Sequence, residues 1–130
     1  MSYFPKILII DDEEDFCCLV KRNLESTGEY KVFVAYNAAD GIILAKVEKP
    51  DVILLDIMMP DISGAQAAAA LKKFEETRDI PVIFLTAIIT KEELGTTMKE
   101  IADNLYIAKP VKTQELIDSI QSVLKKHRSI

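Results

Sequence analysis

Apolar residues in this chain fall into short runs, and four of those runs end on a reactive polar group. Ile7-Leu8-Ile9-Ile10 leads into Asp11-Asp12, Val52-Ile53-Leu54-Leu55 into Asp56, Val82-Ile83-Phe84-Leu85 into Thr86, and Leu105-Tyr106-Ile107 towards Lys109-Pro110. Continuous apolar runs of this kind mark strands buried on both faces of a parallel sheet. Between them the pattern changes to helical spacing. After a first strand at Lys6–Ile10, Phe16, Leu19, Val20 and Leu24 recur on that period, and Gly28 is a stop signal. Tyr30–Tyr36 alternates and is rich in Val, which suits a second strand. Asn37 is placed to cap a helix carrying Ile42, Ile43, Leu44 and Val47. The third strand is Asp51–Leu55, and Ser63-Gly64 opens a third helix through Leu71 and Phe74. Pro81–Leu85 is the fourth strand, and Thr90 caps a fourth helix through Leu94, Met98 and Ile101. Leu105–Ile107 is a short fifth strand. Thr113 caps the last helix, with Leu116, Ile117, Ile120, Val123 and Leu124 facing inward.

Strand and helix therefore alternate five times, which predicts an α/β fold built on a parallel sheet. Five helices on both faces of five strands make a doubly wound domain with right-handed crossovers. The flavodoxin-like strand order 2-1-3-4-5 fits this element count and places a switch point between strands 1 and 3. In such sheets the working site lies outside the carboxyl ends of the strands. Asp11, Asp12 and Asp56 would flank that crevice, with Thr86 and Lys109 on the same edge.

The 130 residues suit one domain over 1–130, and 49% hydrophobic content is enough to fill its core. The apolar runs are far shorter than the roughly 20 residues of a membrane helix, so no membrane insertion is expected. No signal-peptide pattern precedes Lys6, and a cytoplasmic location is expected. A net charge of -5 argues against direct nucleic-acid binding. The basic Lys125-Lys126-His127-Arg128 cluster sits at a helix end, where cations favour the macrodipole. Cys17 and Cys18 are helix neighbours about 100° apart, a poor geometry for a bridge, and no zinc or redox role is expected.

Clustered carboxylates repel one another unless protonated or neutralised. A hard divalent cation is the usual solution at neutral pH, and Mg2+ binds through one or two carboxylates plus a phosphate, with Mn2+ an acceptable substitute. Asp56, on the central strand, is the best nucleophile, because a carboxylate can attack phosphorus to form an acyl phosphate. Lys109 is the natural ammonium to offset the developing charge, and Thr86 can donate a hydroxyl hydrogen bond. Pro110 fixes the chain after Lys109, and a cis Lys109–Pro110 bond is one way to aim the amine inward. Taken singly, each group has an ordinary reading as a loop, cap or strand-end residue. Their joint order on alternate elements is what points to chemistry.

The chain resembles response regulator receiver domains over nearly its whole length, of the chemotaxis-type stand-alone kind in two-component signalling. The resemblance rests on Ile-Leu-Ile-Ile-Asp-Asp-Glu at 7–13, Asp-Ile-Met-Met-Pro-Asp-Ile-Ser-Gly at 56–64, Phe-Leu-Thr-Ala at 84–87 and Tyr-Ile-Ala-Lys-Pro at 106–110. It implies a phosphoprotein carrying its aspartyl phosphate on Asp56. Magnesium would be held by Asp11, Asp12, Asp56 and the backbone carbonyl of Met58, and phosphate contacts would come from Thr86 and Lys109. A histidine kinase or histidine phosphotransfer protein would be the donor. The resemblance also implies that Thr86 and Tyr106 move inward together and repack the face of helix 4, strand 5 and helix 5. Physically this is a population shift between two packings.

If these 130 residues are the natural full length, control of a downstream protein target in trans is expected; in a longer chain a DNA-binding or enzymatic output domain is the alternative. A homodimer through the face of helix 4, strand 5 and helix 5 is a further expectation. Ala102-Asp103-Asn104 departs from the Gly-Ala pair of many relatives, which implies a small change in that turn. Met58 and Ile88 are apolar, where the resemblance places side chains beside the path of attacking water. Slow self-dephosphorylation is therefore expected: a rapid decay left unchanged by Met58→Asn or Ile88→Glu would contradict it. The chain is expected to be a phosphoacceptor rather than an enzyme. An aspartate-nucleophile phosphatase is the alternative, but it needs a second acid where Met58 stands. A flavodoxin-like electron carrier would need a phosphate loop where Asp11-Asp12-Glu13-Glu14-Asp15 stands. A phosphorylation-independent pseudo-receiver is disfavoured by the complete acidic and lysine set.

Overall fold

The computed structural model of the protein describes residues 4–87 and 105–128. Five strands lie in one wholly parallel sheet: β1 (Lys6–Ile10), β2 (Lys31–Ala35), β3 (Val52–Asp56), β4 (Val82–Thr86) and β5 (Leu105–Ala108), in the order β2-β1-β3-β4-β5. The described helices are α1 (Glu14–Glu25), α2 (Ala38–Glu48), α3 (Gly64–Lys72) and α4 (Thr113–Arg128), the last being the fifth predicted from the sequence. The fourth predicted helix, with Thr90, Leu94, Met98 and Ile101, lies outside the described residues, as do Ile88 and the Ala102-Asp103-Asn104 turn.

Alternate residues of each strand enter two separate cores, as the period of two requires. Ile7, Ile9, Val52, Leu54, Ile83 and Leu85 pack in one core with Val20 and Leu24 of α1 and Leu116, Ile120 and Leu124 of α4. Leu8, Ile10, Ile53, Leu55 and Phe84 pack in the other with Ala38 and Ala45 of α2 and Ala67, Ala68 and Leu71 of α3. Helices thus cover both faces, and the expected doubly wound, flavodoxin-like architecture is present. No described helix is long and apolar enough to cross a membrane.

The helix faces differ from a simple count of apolar residues. Helix α2 buries Ala38, Gly41 and Ala45, whereas Ile43 and Val47 are exposed. The cause is close approach: a Cβ added to Gly41 would stand 2.7 Å from Ile10 Cγ1. Small residues let this helix lie on β1, and the larger ones turn outward. In α1 the buried set is Cys17, Val20 and Leu24, with Leu19 exposed. Helix starts agree better with the sequence. The Asn37 side chain accepts a bond from the Asp40 N–H at 2.8 Å. Ser63 and Gln66 form a reciprocal capping box at the start of α3. Thr113 is a correction: it is the first helical residue, and its hydroxyl accepts from Asn23 Nδ2 at 3.1 Å. Helix α3 ends at Lys72, before Phe74.

Candidate functional site

The strand ends bring the predicted groups to one edge. Asp56 and Thr86 are the last residues of β3 and β4 rather than the first residues beyond them. Asp11 and Asp12 follow β1, and Lys109 follows β5. Backbone bonds carry the ladder into the loops and fix these positions. Asp11 N–H donates to the Ala35 carbonyl at 3.0 Å, Ile57 N–H to Leu85 at 2.9 Å, and Lys109 N–H to Thr86 at 2.7 Å. The Lys109–Pro110 peptide bond is cis.

Each of Asp11, Asp12 and Asp56 offers one carboxylate oxygen, and these three atoms lie within 4.8 Å of one another. Asp11 and Asp56 are buried, and Asp12 is exposed. The Lys109 ammonium stands 2.7 Å from Asp11 Oδ2, 2.7 Å from Glu13 Oε1 and 3.7 Å from Asp56 Oδ2. Only the Glu13 contact has hydrogen-bond directionality among these three. Asp11 Oδ2 is thus a fully buried carboxylate oxygen that is ion-paired but accepts no aligned donor. Such an oxygen, in a cluster of hard oxygen donors, fits a divalent cation.

The electrostatics follow from this packing. Burial, then the neighbouring Asp11 charge, pushes the Asp56 carboxyl up to about 6, against the pull of Lys109 and the Met58 N–H. It is still mostly ionised at neutral pH. For Lys109, burial pulls the amine down, but the ion pair with Asp11, the hydrogen bond to Glu13 and the Asp56 charge outweigh that and raise it above its ordinary value. Lys109 is therefore a permanent cation. Met58 donates its backbone N–H to Asp56 Oδ1 at 3.2 Å, while its side chain is exposed. Beside it an open cleft is lined by Asp12, Met58, Met59, Pro60 and Ser63. Thr86 is buried at the end of β4, next to Ala108 in the register of β5. Tyr106 pairs in register with Phe84 and is more than a third exposed.

Three neighbours were not among the candidates from the sequence. Glu13 binds the Lys109 ammonium, the Phe16 ring lies 4.5 Å from it, and the Cys17 thiol donates to the Asp11 carbonyl at 3.4 Å. Burial, then Asp11, pushes that thiol up to about 12, so Cys17 is a packed, unreactive group. Glu13 directly follows the aspartate pair, which is the one sequence signal that could have pointed to it.

Comparison with known proteins gives a consistent result. A family model described as the response regulator receiver domain matches residues 7–121. Protein PilH of Pseudomonas aeruginosa is 40% identical over 121 residues, covering 92% of this chain and 97% of that protein. Among solved structures, a CheY-like response regulator receiver domain protein from Methanospirillum hungatei JF-1 superposes with a TM-score of 0.84 at 28% identity, covering 98% of both chains. The receiver domain of the Francisella response regulator 1452 gives a TM-score of 0.79 at 30% identity, covering 94% of this chain and 98% of that one.

Proposed function

We propose, since this chain belongs to the response regulator receiver domain family of two-component signalling, that it is a switch set by phosphorylation of Asp56. The observation that supports this best is the meeting of a raised but ionised Asp56 carboxylate with two further aspartates and a lysine ammonium at one sheet edge. An Asp56 oxygen would attack the phosphorus of a phosphohistidine on a histidine kinase or phosphotransfer protein. The P–N bond breaks, the imidazole keeps the electron pair, and a mixed acyl phosphate remains on Asp56. Lys109 supplies a fixed positive charge for the phosphoryl oxygens, and the Thr86 hydroxyl a hydrogen bond. Mg2+, held by Asp11, Asp12, Asp56 and the Met58 carbonyl, supplies the remaining positive charge when bound. The chain turns over no substrate in this reading; it stores the phosphoryl group.

Phosphorylation would draw Thr86 and then Tyr106 inward and change the surface formed by β5 and α4, where a protein target or a second copy would read the state. The partial exposure of Tyr106 supports this reading. With Met58 apolar and next to the acceptor, the phosphorylated state should be long-lived. The test of the acceptor is intact mass after incubation with acetyl phosphate. One added phosphoryl group is expected with Mg2+, and none with chelator or in Asp56→Asn. A gain that persists in that variant would place the acceptor elsewhere.

A further inference from the structure

Glu13 occupies the N-cap position of α1, where short polar side chains normally bond the free N–H groups of the first turn. Its side chain makes no capping bond. It reaches instead to Lys109, 96 residues away, and accepts a hydrogen bond at 2.7 Å. Its backbone N–H donates to Asp11 Oδ1 at 3.0 Å, which fixes the stem from which it reaches. The result draws the ammonium to one side of the site: 2.7 Å from Glu13 Oε1 and Asp11 Oδ2, but 3.7 Å from Asp56 Oδ2. The Phe16 ring, 4.5 Å away, gives the ammonium a further attraction of the cation–π type.

We propose that Glu13 is a positioning residue that holds the Lys109 ammonium back from Asp56, and that an incoming phosphoryl group must draw the ammonium away from it. This rests on Asp56 being the phosphoryl acceptor. Of the three carboxylates around Lys109, Glu13 is the one suited to yield. Its side chain is 62% exposed, against 0% for Asp11 and 5% for Asp56. Water can take over solvation of Glu13 when the pair opens, so although Lys109 itself is only 10% exposed, this pair is cheaper to break than one with both charges buried. Separating Lys109 from Asp11 would leave a buried charge without compensation. Glu13 therefore sets a threshold on phosphoryl binding.

The test is calorimetric titration of the full chain with beryllofluoride in saturating Mg2+, for the wild type, Glu13→Gln and Glu14→Gln. Glu14 is an exposed acid in the first turn of α1 and controls for loss of one negative charge. Glu13→Gln should bind about three-fold more tightly than Glu14→Gln at about 0.05 M salt, the scale of one exposed ion pair. The gap should close at about 0.5 M salt, because an exposed pair is screened and a structural role would not be. Equal affinities for the two variants, or weaker binding by Glu13→Gln, would overturn the role of Glu13 while leaving the acceptor reading intact. Failure of the wild type to bind beryllofluoride would overturn the acceptor reading, and the role of Glu13 with it.

Discussion

Asp56→Asn is expected to stabilise the metal-free protein by about 3 kcal/mol at about pH 7.5, although it removes the proposed phosphoryl acceptor. Burial, with Asp11 beside it, raises the Asp56 carboxyl from the ordinary 3.8 to about 6. A group raised in the fold is favoured there in its protonated form. Its contribution is therefore complete below the unfolded value and is lost as the pH climbs through about 6. Asn resembles the protonated carboxyl at every pH. The variant should thus match the wild type near pH 4 and pull ahead between roughly pH 4 and pH 6. Urea unfolding of both proteins in chelator, at the two ends of that range, measures the gap. A wild type as stable as the variant at the upper end would show that the Lys109 contact outweighs burial. Added Mg2+ should narrow the gap, because a ligand that binds the folded wild type more tightly than the variant stabilises it more by mass action.

Gly64→Ala is expected to cost about 3 kcal/mol, near the upper end for overpacking. A Cβ there would stand 2.7 Å from Ile57 Cα and closer still to the Asp56 carbonyl oxygen. Both obstacles are backbone, so no side-chain rotation relieves them. The Gly64 N–H also donates to the Ile57 carbonyl at 2.8 Å, which clamps the start of α3 to the loop that follows β3. The loop must move, and Asp56 moves with it. Phosphoryl uptake from acetyl phosphate should therefore fall by more than the loss of folded protein explains. Denaturation midpoints and uptake rates on the same samples separate the two effects. Uptake that simply tracks the folded fraction would mean the strain is absorbed in α3.

The strands and their terminal groups were legible because two-sided burial demands unbroken apolar runs, and Asp56 or Thr86 is conspicuous where such a run stops. Caps were legible for the same local reason: Asn37 and Ser63 act within three residues of themselves. Which face of α2 turns inward was not. Ile43 and Val47 outweigh Ala38, Gly41 and Ala45 in hydropathy, but the short distance to β1 selects the smaller set. The surroundings of Lys109 were legible only in part. The aspartate pair marks Glu13 as near the site, but nothing beside Glu13 or Phe16 announces a partner so far along the chain, and only the assembled sheet brings them to Lys109.

The carboxyl-end register of the sheet also constrains how this sequence can drift. Ile10 lies opposite Leu55, Asp56 opposite Leu85, and Thr86 opposite Ala108. One inserted residue within any of these strands would advance its terminal group by about 3.3 Å and turn it to the other face of the sheet. Such an insertion would separate the acidic groups from the lysine without any change in residue type. At the opposite edge, where strands begin, an added residue lengthens a loop and leaves the ends aligned. Length variation among descendants of this sequence should therefore accumulate on the amino-terminal side of the sheet, and substitutions, not insertions, should be the main route by which the working edge changes.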